Sequence, residues 1–411
     1  MKIKKLAAVT LALIMSAAVL TSCDKKKNDS SSDTKDSSAS QSQSESSSDS
    51  QADPNAVPQA KLVIDGKEID TSDLIICTVD GIDVDFDTFR YYYYYSINML
   101  TQTYGATLDT IKETEGGFDT LLENTITYIK QEYVTYRLAE DNGVELTEDD
   151  IAANESIYNN NLETSGSEEE FNNVLKSSYM TPELYRNMLD LATLYEKCEE
   201  TLFTNEGVYA TKKEDFREIV KNPEEYACIR SILIPYQCKA DITNEDTLAA
   251  YDGYSLDEKL SAKQLAYASL DDDGKEKAKA AAKELAESVA EKAANGDDFE
   301  ELIKEYNWDP GMESFPDGYY ITPNTSYVQE YLDCAFSLAE GETSALIEND
   351  SYGWFILKRM PVDMDYVEEN IETMIQDYDL PSREQLYQDT MDKMEVSYSD
   401  IYKKLTVDSI S

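Results

Sequence analysis

Two short β-rich runs, far apart in the chain, do most to limit the fold. Cys228-Ile229-Arg230-Ser231-Ile232-Leu233-Ile234 is stopped by Pro235, and Trp354-Phe355-Ile356-Leu357 lies between Ser351 and Met360. Each has the length and the β-branched or aromatic content of a strand. What separates them is helical in pattern. Ala282 to Ala293 forms a helical run that stops at Asn295-Gly296, a left-handed C-terminal signal. Asp297 and Glu300 then resemble a capping box for a helix bearing Phe299, Leu302, Ile303 and Tyr306, and a further helix carries Tyr331, Ala335 and Leu338. Two strands with helices between them thus frame this stretch.

The chain before Tyr226 has another character. Leu62 to Val84 contains two short β-like pieces, and Thr78-Val79-Asp80-Gly81-Ile82 reads as a strand entering a tight Asp-Gly turn. Asp85 and Asp87 then precede Phe89 and five tyrosines, Tyr91 to Tyr95. Asp83, Asp85 and Asp87 have calcium-loop spacing, but Thr88 stands where glycine is needed and Tyr94 where the bidentate glutamate belongs. They are read as helix-capping aspartates, and neither a metal nor a cofactor is expected. Leu121, Leu122, Ile126, Ile129 and Val134 fall on one helical face. Thr147 with Asp149 and Asp150 opens another helix, and Thr181-Pro182-Glu183 opens one with Leu184, Met188, Leu191 and Tyr195 as its buried stripe. The tyrosine run either lines a surface that holds unfolded chains, each ring offering apolar area with a polar tip, or is divided between core and surface.

At the start, Lys2, Lys4 and Lys5 precede an apolar run from Leu6 to Leu20, roughly fifteen residues and too short to span a membrane as a helix. Residues 1–22 are read as a secretory signal. Leu20-Thr21-Ser22-Cys23 resembles the bacterial lipobox, which predicts acylation of Cys23 and a protein lipid-anchored to the extracytoplasmic face of the cell membrane; an ordinary cleaved signal with an incidental cysteine is the alternative. From Cys23 to Ala60 the chain is Lys, Ser, Asp and Gln with almost nothing to bury, a disordered tether.

The formal charge is −47, about −50 once the three signal lysines are gone. Such a surface repels nucleic acid and anionic headgroups. It favours basic clients or wall-held cations, or it serves only to keep an exposed protein soluble. Besides Cys23 there are Cys77, Cys198, Cys228, Cys238 and Cys334, with no C-x-x-C pair, so neither a disulfide framework nor a zinc site can be read. Cys228 and Cys238 lie close enough in sequence to bridge but are read as two buried thiols. The chain has no histidine. That excludes a Ser-His-Asp triad, a Cys-His pair, an H-E-x-x-H zinc site and a histidine general base.

The motifs after Tyr226 resemble the parvulin family of prolyl isomerases. Ile229 to Ile234 resembles its first strand, and Asp298-Phe299-Glu300-Glu301-Leu302 its D-F-x-x-L helix. Asn307-Trp308-Asp309-Pro310-Gly311 is similar to its S-x-D-P-G loop, Phe336 to Ser344 to A-F-x-L-x-x-G-E-x-S, and Tyr352 to Lys358 to F-G-Y-H-I-I-K. With the signal and the helical first half, the likeness extends to lipid-anchored PrsA-type foldases. It implies an α+β chain: a helical chaperone-like domain over 61–225, a parvulin-like domain over 226–360 with a small antiparallel sheet flanked by helices and an acidic insertion at about 238–275, and C-terminal helices over 361–411 that pack on the first domain. The implied partners are unfolded or newly exported polypeptides.

The same resemblance marks where the chain departs from the parvulin pattern. Ser231 stands at the first family histidine and Phe355 at the second, while the cysteine or aspartate position remains Asp309. Asp309 and Ser231 are the implied catalytic positions, and Tyr319, Tyr327, Tyr331 and Phe355 the implied substrate-binding ones. Rotation about a prolyl bond faces a barrier of roughly 18–20 kcal/mol because twisting destroys amide resonance. A dry apolar pocket with polar groups favouring the twisted state lowers it. The expected function is an extracytoplasmic foldase with a degenerate isomerase site, or alternatively a non-catalytic holdase with a peptide-binding parvulin domain. A transporter's solute-binding lipoprotein fits less well, since repeated strand-helix alternation is missing from the first half.

Overall fold

A computed structural model describes residues 60–204 and 207–411. The signal peptide expected over 1–22, the acylated Cys23 and the tether up to residue 59 lie outside the described residues. The chain divides into two compact units, one of residues up to Tyr209 together with Ser382–Ser411, the other of Ala210–Pro381.

In the first unit a hairpin of β1 (Leu62–Ile64) and β2 (Lys67–Ile69) precedes β3 (Ile75–Val79) and β4 (Ile82–Asp85). Asp80 and Gly81 join β3 to β4 with φ of 50° and 83°, the two positive values that the expected tight turn requires. Asp85 caps α1 (Phe86–Tyr104), its carboxylate accepting the Thr88 N–H at 2.7 Å. Then follow α2 (Leu108–Glu113), α3 (Gly117–Asn142), α4 (Glu148–Thr164), α5 (Glu168–Ser177) and α6 (Pro182–Phe203). Thr147 and Thr181 are N-caps, as their sequence settings predict. Phe86, Phe89, Leu121, Ile129, Val134 and Tyr185 are buried in one core.

The second unit is built on the antiparallel sheet β6-β5-β8-β7, formed by β5 (Ala227–Pro235), β6 (Tyr319–Ile321), β7 (Ile347–Asn349) and β8 (Gly353–Met360). The two β-rich runs are its central pair, in register from Cys228 opposite Met360 to Pro235 opposite Gly353. Strand alternation gives β5 and β8 two apolar faces. Ile232, Ile234, Trp354 and Ile356 pack under α10 (Asp272–Ala294) and α11 (Phe299–Tyr306). Ile229, Leu233, Phe355 and Leu357 pack against α13 (Gln329–Ser337), which follows α12 (Gly311–Ser314) and β6. The acidic segment expected as an insertion holds α8 (Glu245–Ala250) and α9 (Leu256–Ala268). A third cluster joins Phe216 of α7 (Lys213–Ile219) to Val367 and Ile371 of α14 (Met364–Lys393).

Three details differ from expectation. The cap of α11 is Asp298 rather than Asp297, its carboxylate accepting the N–H groups of Glu300 and Glu301. Asp297 instead donates its N–H to Lys292 and completes the end of α10 beyond Gly296, whose φ is 89°. The chain after residue 361 was expected to return as several helices. It forms the single long α14 followed by β9 (Val396–Tyr398), which pairs with the free edge of β3. A short β-prone run beside an unpaired strand satisfies backbone groups that a further helical turn would leave unused. The first part of α14 belongs to the second unit, and the units divide at Pro381 within it, where proline removes a helical hydrogen bond.

Candidate functional site: an aromatic cleft around Asp309

The sheet and α13 leave a cleft of about 340 Å³ on the Leu233–Phe355 face, lined by Asp309, Tyr319, Tyr327, Tyr331 and Tyr352 among others. Alternate residues of a strand share a face, so Ser231 and Leu233 of β5 point to this side, opposite Leu357 and Phe355 of β8. Arg230, one residue before Ser231, points away. It is buried, grips Glu300 through Nε and Nη2 at 2.9 and 2.6 Å, and donates Nη1–H to the Phe315 carbonyl at 2.9 Å. One buried guanidinium thus ties α11 to the loop after α12.

The loop carrying Asp309 is stapled to β5. Beyond Ile229 the β6 side of β5 is unpaired. Leu233 donates its N–H to Asn307 Oδ1 at 2.9 Å and accepts the Trp308 N–H at 2.9 Å. Asn307 Oδ1 also accepts the Asp309 N–H, and its Nδ2 donates to the Asp309 carbonyl at 2.7 Å. The carboxylate is held in turn. Tyr319 donates its hydroxyl to Oδ2 at 2.8 Å, and Gly311 donates its N–H to Oδ1 at 2.9 Å. A Cβ at position 311 would collide with the Tyr319 hydroxyl, so glycine there is what lets that pair form.

The rings make a continuous chain. Phe315 meets Tyr319 at 5.6 Å, Tyr319 meets Tyr327 at 5.7 Å, Tyr327 meets Tyr331 at 5.3 Å, and Tyr331 meets Phe355 at 5.4 Å. Tyr352 lies 6.1 Å beyond Phe355. Most contacts are edge-to-face, the arrangement aromatic quadrupoles favour. Tyr331 and Phe355 are buried floor, whereas Tyr327 at 40% and Tyr352 at 52% exposure open to solvent. Burial, then the Asp309 charge, push the Tyr319 and Tyr327 phenols up; for Tyr319 the hydrogen bond to Asp309 adds to this. Burial also raises Tyr331, opposed by the Ser231 hydroxyl beside it.

Five of the six residues expected at the site therefore line this cleft: Asp309, Tyr319, Tyr327, Tyr331 and Phe355. Ser231 does not line it. Its Oγ is buried beside Tyr331, and neither hydroxyl has a well-formed hydrogen bond. The orienting partners of Asp309 are Tyr319 and the Gly311 amide, not the serine. Sequence reasoning missed Leu233, Ser326, Val328 and Tyr352 as lining residues. Leu233 was within reach, lying two positions past Ser231 on the same strand face. Cys228 and Cys238 are buried free thiols. Among the described residues no cluster of His, Cys, Asp and Glu could hold a metal, and no helix is long and apolar enough to cross a membrane.

Comparison with known proteins gives no match among curated ones. Among solved structures the chain is similar to the Bacillus cereus peptidylprolyl isomerase PrsA, at 17% identity over 82% of this chain and 97% of that one, with a TM-score of 0.33. It is also similar to the foldase protein PrsA of Streptococcus pneumoniae (16% identity, 69% and 85% coverage, TM-score 0.26). A SurA-like chaperone of Campylobacter jejuni matches at 12% identity over 80% of this chain and all of that one, with a TM-score of 0.20. The family match covers the cleft but not β5, which precedes it: residues 248–360 match the family model of the PPIC-type PPIase domain.

Proposed function

We propose that the chain is an extracytoplasmic foldase, lipid-anchored through Cys23, that holds prolyl segments of unfolded exported polypeptides in the aromatic cleft. The observation that carries this reading is convergence. Rings from β6, the segment before α13, α13 itself and β8 meet around one fixed carboxylate, inside the stretch that matches the PPIC-type PPIase domain. A proline ring is a compact apolar body that fits against aromatic faces, and the neutral Tyr hydroxyls and Asp309 offer polar contact to its flanking amides.

Ser231 and Phe355 fill the positions where the resembled family carries histidines, so rotation about the prolyl bond rests here on desolvation and on Asp309. Burying a prolyl amide among rings favours the twisted, less polar state, and Asp309 is the one carboxylate among the lining residues. The holdase reading is favoured by Phe355, which closes the floor with a ring that neither donates nor accepts a proton. Exchange NMR on an Ala-Pro peptide tests the choice. Isomerisation accelerated by the wild type and lost in Asp309→Ala supports the foldase reading; binding without acceleration supports the holdase.

A further inference from the structure

We infer that the cleft selects prolines flanked by a basic residue and rejects prolines flanked by an acidic or phosphorylated one. This rests on the reading of the cleft as a prolyl site and adds the chemistry of the neighbouring residue.

The cleft has a charge of one sign. Asp309 lines it, and no Lys or Arg does. Its carboxylate accepts one hydrogen bond at each oxygen, from Tyr319 and from the Gly311 amide, which leaves each oxygen further acceptor capacity. Both donors are neutral, so the negative charge is oriented but not compensated. Burial is the main cause that raises the Tyr319, Tyr327 and Tyr331 phenols, and the Asp309 charge adds to it in each. Arg230, one position before Ser231 on β5, points to the other face of the sheet and is already consumed by Glu300, and Arg359 on β8 is held by the carbonyls of Leu338, Pro223 and Tyr226. At the mouth, Tyr327 and Tyr352 offer exposed ring faces, and an aromatic face attracts a Lys or Arg side chain through its quadrupole. Carboxylate and π faces thus reinforce each other for a cation. For an anion both are unfavourable, and nothing on the lining neutralises it.

The net charge of the whole chain also attracts basic peptides, from any direction, so the test must separate local from global attraction. The full chain is titrated by calorimetry with short peptides holding Lys-Pro, Ala-Pro or Glu-Pro at the centre, and with one in which the lysine sits six residues from an Ala-Pro. Lys-Pro should bind about tenfold tighter than Ala-Pro, and Glu-Pro more weakly than Ala-Pro. In Asp309→Asn, with circular dichroism checking the fold, the Lys-Pro to Ala-Pro ratio should fall to about twofold or less. Equal gain from the distant lysine, or an unchanged ratio in Asp309→Asn, assigns the preference to overall charge and overturns the inference while leaving the prolyl cleft standing. If Ala-Pro and Lys-Pro both fail to bind, the reading of the cleft falls and the inference with it.

Discussion

The tyrosine run of α1 and the tyrosines of the cleft are the same residue type put to opposite uses. Tyr91, Tyr92 and Tyr93 are buried in the core of their unit. Tyr93 donates to the Val407 carbonyl at 3.3 Å and Tyr94 to the Ile410 carbonyl at 3.2 Å, and Tyr94 stacks on Tyr179 at 3.8 Å. Consecutive residues spread around a helix at 3.6 per turn, so five in a row cannot share a face. Three turn inward, and two of the run, Tyr93 and Tyr94, tie down the C-terminal segment. The cleft tyrosines come from β6, the segment before α13, α13 and the approach to β8, yet their rings meet. Three of the five are thus core, while Tyr94 and Tyr95 line a separate hollow of about 530 Å³ with Tyr179; the scattered set supplies the exposed rings, Tyr327 and Tyr352.

That contrast breaks most visibly in stability. Tyr93→Ala should destabilise the chain by about 3–5 kcal/mol in chemical denaturation, as for other large-to-small aromatic changes in a core. Tyr327→Ala, at an exposed ring, should stay within about 0.5–1 kcal/mol of wild type yet weaken Ala-Pro binding severalfold. Similar losses from both would erase the distinction.

The first unit carries a second signature that the cleft lacks, a buried acid. Glu132 of α3 is 2% exposed, its Oε1 has no partner, and burial pushes its carboxyl up from 4.5 to about 8. A folded-state pKa above the unfolded one means the native state binds the extra proton. Stability is therefore full below about pH 4.5, falls through the window up to about 8 at up to ~1.4 kcal/mol per unit, and levels off above it. Denaturation midpoints across that window should show a fall in the wild type that is shallower in Glu132→Gln. Parallel curves would mean that the overall negative charge, not this carboxyl, sets the trend.

Smaller effects sharpen the account of the cleft. Gly311→Ala should cost about 1–3 kcal/mol by overpacking, since the new methyl displaces the Tyr319 hydroxyl, and should weaken peptide binding as well. Tyr319→Phe removes only the donor to Asp309 and should cost about 1 kcal/mol of stability. It should also widen the Lys-Pro to Glu-Pro ratio, because a carboxylate without its hydroxyl partner turns more fully to the ligand. A narrowed ratio contradicts that.

The sheet's central pair was legible because both strands are β-branched, aromatic and ended by turn residues; the caps at Asp85, Thr147 and Thr181 were legible because capping chemistry is local. β9 was not. Three residues, Val396-Ser397-Tyr398, acquire strand character only from pairing with β3, and such a tertiary override leaves no periodicity. In the cleft, motif likeness brought Asp309 and the four aromatic positions onto one surface, whereas Ser231 lies buried beside Tyr331 and off the lining. Tyr352 escaped because its ring reaches the cleft only through the turn that leads into β8, a geometry that composition does not encode.

The central claim is that the scattered rings, not the contiguous ones, hold the client. A prolyl peptide carrying a photoactivatable group beside the proline, cross-linked to the full chain and mapped by mass spectrometry, tests it directly. The account predicts adducts at Tyr327, Tyr352 or the adjoining residues of the second unit, competed away by unlabelled Ala-Pro peptide. Competable adducts confined to the neighbourhood of Tyr94, Tyr95 and Tyr179 would contradict it and move the client site to the helical unit.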